Sequence, residues 1–168
     1  MRGRRLPIAC IGALVLLAAL RVAAVWDAMP EHMASHFGRS GQPDGWQSKT
    51  AFFVTFGAIG LFTLVTLLLP AWFLRFIPAQ MINIPYRDYW LTPERRPEAM
   101  DRLAGFMDWF SVMLTVVLVA TLELVLRANM GQAPLNNTVM LAMLAAFFAF
   151  TIVWLIRMWR NFKPPELR

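Results

Sequence analysis

Four stretches of this chain run for about 20 residues or more with almost no polar position, near Leu6–Trp26, Ala51–Phe76, Leu103–Leu126 and Thr138–Arg157. A helix in a water-soluble core shows a polar face every three or four residues, and Ile8–Leu20 and Val139–Leu155 show almost none. The pattern therefore predicts an all-α integral membrane protein, a four-transmembrane-helix bundle forming one domain. Its polar remainder falls into an external loop over 27–50, a second loop over 77–102 and a short turn over 127–137.

Composition agrees, since 58% of the residues are hydrophobic and only 15% carry charge, a balance foreign to soluble domains of this size. Charge adds the orientation. Arg2, Arg4, Arg5, Arg75, Arg87, Arg95, Arg96, Arg102, Arg157, Arg160, Lys163 and Arg168 fall on one side of the predicted spans. Arg39, Lys49 and Arg127 fall on the other. The excess predicts that both termini and the 77–102 loop are cytoplasmic. The formal net charge of +6 then calls for no nucleic acid, because a basic face against an anionic lipid bilayer accounts for it. A competing reading of the first segment is a cleavable signal peptide ending near Val22-Ala23-Ala24, with Arg21 interrupting the cleavage region. The single cysteine, Cys10, rules out an intramolecular disulfide.

Both histidines lie in the first loop, His32 and His36. A short helix over Asp27–His36 would put them on one face, as in helical metal sites, with Glu31 and Asp44 available to complete a sphere. As an HxxxH without a catalytic glutamate, the pair is a weak metal candidate, and hydrogen bonding within the loop is the simpler expectation. Gln42-Pro43-Asp44-Gly45 reads as a type I turn. In the second loop, Thr92-Pro93-Glu94 reads as a helix start, and Tyr86, Tyr89 and Trp90 as interfacial aromatics, a role shared by Trp72. No phosphate-binding glycine loop or nucleophile motif is present, and no cofactor is implied.

Three charges fall inside predicted spans. Arg21 and Glu123 lie at similar depth and can pair, or Arg21 can reach the headgroups instead. Asp108 is expected to meet Arg102 or a neighbouring loop arginine. Asp108, Ser111, Thr115 and Glu123 form a stripe on the third helix that should face the bundle interior.

Two tracts together resemble a bacterial membrane family, domain of unknown function family 1648. Met29-Pro30, His36-Phe37, Gly41, Pro43-Asp44 and Lys49 resemble its first-loop signature. Asn83-Ile84-Pro85, Asp88-Tyr89-Trp90 and Pro93-Glu94-Arg95-Arg96 resemble a tract seen in many members. The resemblance implies a place in the bacterial cytoplasmic membrane and kinship with the N-terminal region of SdpI-type immunity and signalling proteins, whose C-terminal membrane region has no counterpart here. Met29, Ala34 and Tyr86 depart from the family's usual leucine, proline and asparagine, and should loosen the first loop.

The leading expectation is a non-enzymatic protein that senses, or confers immunity to, an external peptide or envelope signal. Pro30, His36, Phe37, Gly41, Asp44 and Lys49 would receive the ligand. Asn83, Pro85, Asp88, Tyr89, Trp90, Pro93, Glu94 and Arg96 would meet a membrane or cytoplasmic protein partner. The rivals are an accessory subunit whose third-helix stripe contacts a partner span, and a metal-dependent membrane enzyme using His32 and His36.

Overall fold

The structure is a computed structural model that describes residues 4–167, apart from the side chains of Pro70, Ala71, Trp72 and Arg75. Arg2, Arg168 and the side chains of Trp72 and Arg75, invoked above, lie outside the described residues. Four helices are long and apolar enough to cross a membrane. They are α1 (Arg5–Val25), α2 (Lys49–Phe73), α4 (Arg96–Gly131) and α5 (Asn137–Phe162), with the single turn α3 (Arg87–Trp90) between the second and third. The chain is thus a multi-pass membrane protein, as the apolar runs predict.

The long helix α4 is the hub, with α1, α2 and α5 each packed against it. At 36 residues it is about 54 Å long, well beyond the roughly 30 Å hydrocarbon core. It therefore projects past the apolar layer, and each of its ends carries a docked segment. The interior face of α4 is its polar stripe, as expected: Asp108 and Ser111 are wholly buried and Thr115 nearly so. The two hydroxyls are satisfied within the helix, Ser111 Oγ donating to Met107 O and Thr115 Oγ1 to Ser111 O. In contrast, α5 contributes only Phe162 to the buried core.

The first loop departs from expectation. In place of a helix over Asp27–His36, a 3-10 turn at Trp26–Ala28 leads into a hairpin of β1 (His32–Phe37) and β2 (Pro43–Ser48). The strands are antiparallel, with His32 opposite Ser48, Ala34 opposite Trp46 and His36 opposite Gly45, and bulges follow Ala34 and His36. The turn lies at 38–42, where Gly38 N–H donates to Gln42 O and Gly41 N–H to Gly38 O. Gln42–Gly45 is therefore the entry to a strand and not the type I turn that its proline and glycine suggest. Ser48 ends the hairpin and caps α2, its hydroxyl accepting from Ala51 N–H at 3.2 Å.

In the second loop the helix begins at Arg96, later than the Thr92-Pro93-Glu94 start, with Pro97 in its first turn. Pro97 lacks an N–H, and the first turn is where that loss is harmless.

Candidate functional site

The hairpin is held on α4 by a side-chain amide and by apolar packing beneath it. Asn129, buried on the last turns of α4, accepts from Ala34 N–H at 2.7 Å through Oδ1. Its Nδ2 donates to Ala34 O at 3.1 Å and to Val125 O at 3.0 Å. A side-chain amide thus pairs with the free edge of β1 as a neighbouring strand would, satisfying groups that burial otherwise leaves unpaired. Below it, Met33 is wholly buried and packs with Val25, Met29, Phe52, Leu122 and Leu126. Met29 and Ala34, the two first-loop departures from the family pattern, are both buried. A proline at position 34 would have no N–H to offer Asn129, so the alanine is what permits this docking.

The turn is fixed to the α4–α5 link. Leu135 N–H donates to Gly41 O at 2.8 Å, and Asn137 Nδ2 to Arg39 O at 2.7 Å. Gly41 sits at φ +78°, and a Cβ there would lie 2.5 Å from Leu135 O. Only glycine meets both conditions.

Lys49, the first residue of α2, closes the base. Its buried ammonium bonds Trp26 O at 3.4 Å and Met29 O at 3.3 Å, and pairs with Glu31 at 2.8 Å. It also lies 5.3 Å from the centre of the Trp26 ring. The Lys49 ammonium holds the Glu31 carboxyl below its usual range, chiefly through that hydrogen bond. Gly41 and Lys49 therefore build the cap, and Phe37 packs half-buried against its core.

What the cap presents is different in kind. His36 Nδ1 pairs with Asp44 Oδ1 across the bulge, and both side chains are exposed. Gly45 makes room for this, since a Cβ there would come within 3.0 Å of His36 Cβ. Trp46 is 59% exposed although it is a strand residue. Pro30, His32, Phe37, Pro43 and Trp46 line one wall of a pocket of about 250 Å³ whose other wall includes Asn129 and Gln132. These groups can stack, accept and donate hydrogen bonds; none is arranged as an activated nucleophile.

The helical histidine pair is not formed. In an extended strand, positions four apart are about 13 Å from one another, too far for His32 and His36 to share an ion. Among the described residues, no group of three His, Cys, Asp or Glu side chains could hold a metal.

Arg21 and Glu123 do pair, at 2.8 Å and 3.2 Å in a two-pronged contact, with Arg127 sharing the carboxylate at 2.7 Å. Asp108 does not meet Arg102. Its partner is Arg4, at 2.6 Å and 2.9 Å, since the N-terminus of α1 reaches the same depth, while Arg102 turns to Glu98 and Asn161. The stripe is consumed by these internal contacts and offers no face to a partner span.

At the termini end, the second loop is docked by its aromatics. Trp90 is buried and donates from Nε1 to Phe162 O at 2.5 Å; the Arg102 guanidinium lies 4.6 Å from its ring centre. Tyr89 carries Arg95 over its ring at 4.1 Å, and Arg96 bonds Ile77 O. Glu94 is exposed, its carboxyl lowered by a bond from its own backbone N–H and then by Thr92. Asn83, Asp88 and Pro93 are exposed and Pro85 half-buried.

Sequence reasoning missed Asn129, Trp46 and Arg4 as site or pairing residues. Asn129 leaves a readable trace, a lone amide four residues after Val125 on an otherwise apolar face; the Arg4 partnership, across 104 positions, leaves none.

No curated protein and no solved structure matches the chain. The model of one family, a domain of unknown function, DUF1648, matches residues 13–60. That span covers most of α1, the whole hairpin and the first half of α2. The chain thus carries a DUF1648 region at 13–60, and the docked hairpin is the structure that this region builds.

Proposed function

We propose that this protein is a non-enzymatic membrane receptor or immunity-type protein, and that its hairpin cap receives an external ligand, a peptide or envelope signal. In this reading both termini and the second loop are cytoplasmic, the membrane is the bacterial cytoplasmic membrane, and the Asn83–Arg96 tract meets a protein partner inside. The distribution of Lys and Arg supports the orientation.

One observation carries the proposal. The cap is fastened by buried contacts at Asn129, Gly41 and Lys49, yet it leaves Trp46, His36 and Asp44 exposed. An exposed tryptophan beside a polar pair on a rigid support is the composition of a recognition surface. A hairpin that served only to connect α1 to α2 would gain nothing from ordering these groups.

The test is a photo-crosslinking amino acid at position 46 in living cells. The expected result is a discrete adduct that His36→Ala and Asp44→Ala each reduce, with no such adduct from position 144 on the lipid-facing side of α5. Equal yields from positions 46 and 144, or no effect of either substitution, contradict reception by the cap.

A second reading, an accessory subunit of a larger complex, is favoured by one feature. The apolar window of α5 has no buried residue, so this helix and not the α4 stripe would face a partner span. Blue-native electrophoresis at native expression, showing only a monomer, would oppose it.

A further inference from the structure

At the termini end the last turns of α5 carry Arg157 and Arg160, and Lys163 follows directly after the helix, the three spaced three residues apart. Together with Trp159 and Tyr86 they line an open pocket of about 910 Å³. No carboxylate is among its described lining residues. Arg157 and Arg160 are exposed, and their side chains have no ion-pair or hydrogen-bonding partner among the described residues. This sets them apart from Arg4, Arg21 and Arg102, each of which meets a carboxylate.

Depth says what the pocket faces. A helix needs about 20 residues to cross the hydrocarbon core, and counting from Asn137, where α5 begins, the twentieth is Ile156. Arg157 is then the first residue beyond the apolar layer, at the level where lipid phosphates lie. Trp159 follows, at the depth tryptophan favours.

The backbone of the loop is held unusually to complete the wall. Tyr86 adopts φ 53° and ψ 44°, a left-handed conformation that is unfavourable for a residue with a Cβ. Its carbonyl accepts from Tyr89 N–H and Trp90 N–H, both at 3.1 Å, and its ring lies 5.8 Å from that of Trp159. The conformation suits asparagine or glycine better, so the tyrosine is there for its ring.

We infer that this pocket binds the headgroup of one anionic phospholipid. Its phosphodiester would be held by Arg157 and Arg160, with Lys163 nearby and the Tyr86 and Trp159 rings flanking it. Guanidinium groups match phosphate oxygens in pairs, and basic pockets beside helix ends are suited to such lipids. The site lies at the opposite end of the bundle from the hairpin and does not depend on what the cap receives.

Native mass spectrometry of the full chain released from detergent tests this, titrating phosphatidylglycerol against phosphatidylcholine with the same acyl chains. One phosphatidylglycerol per chain is expected to be retained, with a preference of about tenfold that the Arg157→Gln/Arg160→Gln double variant loses. Tyr86→Asn relaxes the strained backbone, so it should keep or raise thermal stability while weakening lipid retention severalfold. Arg39→Gln, which removes a cation at the hairpin end, should change nothing. Equal retention of the two lipids, or an equal loss in the Arg39 variant, overturns the inference. Displacement of the lipid by millimolar inorganic phosphate also overturns it, by identifying a site for the free anion.

Discussion

The two ends of α4 each carry a docked segment, and they hold it by different physics. At the hairpin end the fastening is directed to backbone: Asn129 pairs with both polar groups of Ala34, and Gly41 meets Leu135 carbonyl-to-amide. At the termini end aromatic packing carries more of it: the Trp90 ring is clasped between the Phe162 ring and the Arg102 guanidinium, and side chains alone supply the donors to the Phe162 and Ile77 carbonyls. Backbone hydrogen bonds specify register, because a shift by one residue turns every side chain of a strand to the opposite face. Aromatic packing tolerates small displacements and is less particular about its partners. The hairpin end is therefore built to present fixed groups, and the loop end to remain attached while its exposed residues stay available.

The comparison can be broken most sharply at Asn129. Asn129→Leu keeps the branched shape but strands the buried amide and carbonyl of Ala34. Hydrogen exchange should show the hairpin's opening free energy falling by about 3 kcal/mol, with the second loop unaffected. Gly41→Ala comes next, through the close approach and the positive φ. A loss of about 2 kcal/mol at the hairpin is expected in the same measurement. Trp90→Phe keeps a ring and loses one hydrogen bond, so the protection of the second loop should fall by only about 1 kcal/mol. Were Trp90→Phe the most damaging of the three, the contrast between the ends would be wrong.

The smallest effect concerns pH. Glu31 has its carboxyl depressed by Lys49, so the pair contributes fully above the ordinary glutamate range. That contribution is lost as pH falls through the lowered value in the folded protein. Glu31 is 82% exposed, and the loss should be slight. Protection of the Lys49 amide, which donates to Glu31 O at 2.9 Å, should decline on acidification, and Glu31→Gln should flatten the decline.

The four spans were legible because an apolar run of 20 residues is a one-dimensional signal that no neighbour needs to confirm. Depth along those spans left Arg21 within reach of either Glu123 or the headgroups, and helical periodicity turned the α4 stripe inward. The hairpin was not legible. Strand β2 reads Pro-Asp-Gly-Trp-Gln-Ser, with no alternation of apolar residues and two residue types that usually end strands. In β1 two consecutive residues are buried, Met33 in the core and Ala34 against Asn129, and the bulges after Ala34 and His36 break the period of two further. Both strands exist because Asn129 and the core beneath Met33 hold them, contacts some 95 positions away. For the same reason the resemblance identified Gly41 and Lys49 as signature residues without showing that they are structural. It equally could not show that, among the first-loop signature residues, the exposed polar pair is His36 and Asp44.

The hairpin is docked on α4 and exposed on its other side, and the distribution of Lys and Arg predicts that it faces out of the cell. A membrane-impermeant maleimide applied to intact cells tests it most directly, in a Cys10→Ala background carrying Ser40→Cys, Met33→Cys or Glu98→Cys. Position 40 should label at once, position 33 should be protected although it lies in the same hairpin, and position 98 should label only after permeabilisation. Labelling of position 98 in intact cells with position 40 silent would reverse the orientation. Equal labelling of positions 33 and 40 would mean that the hairpin is not docked.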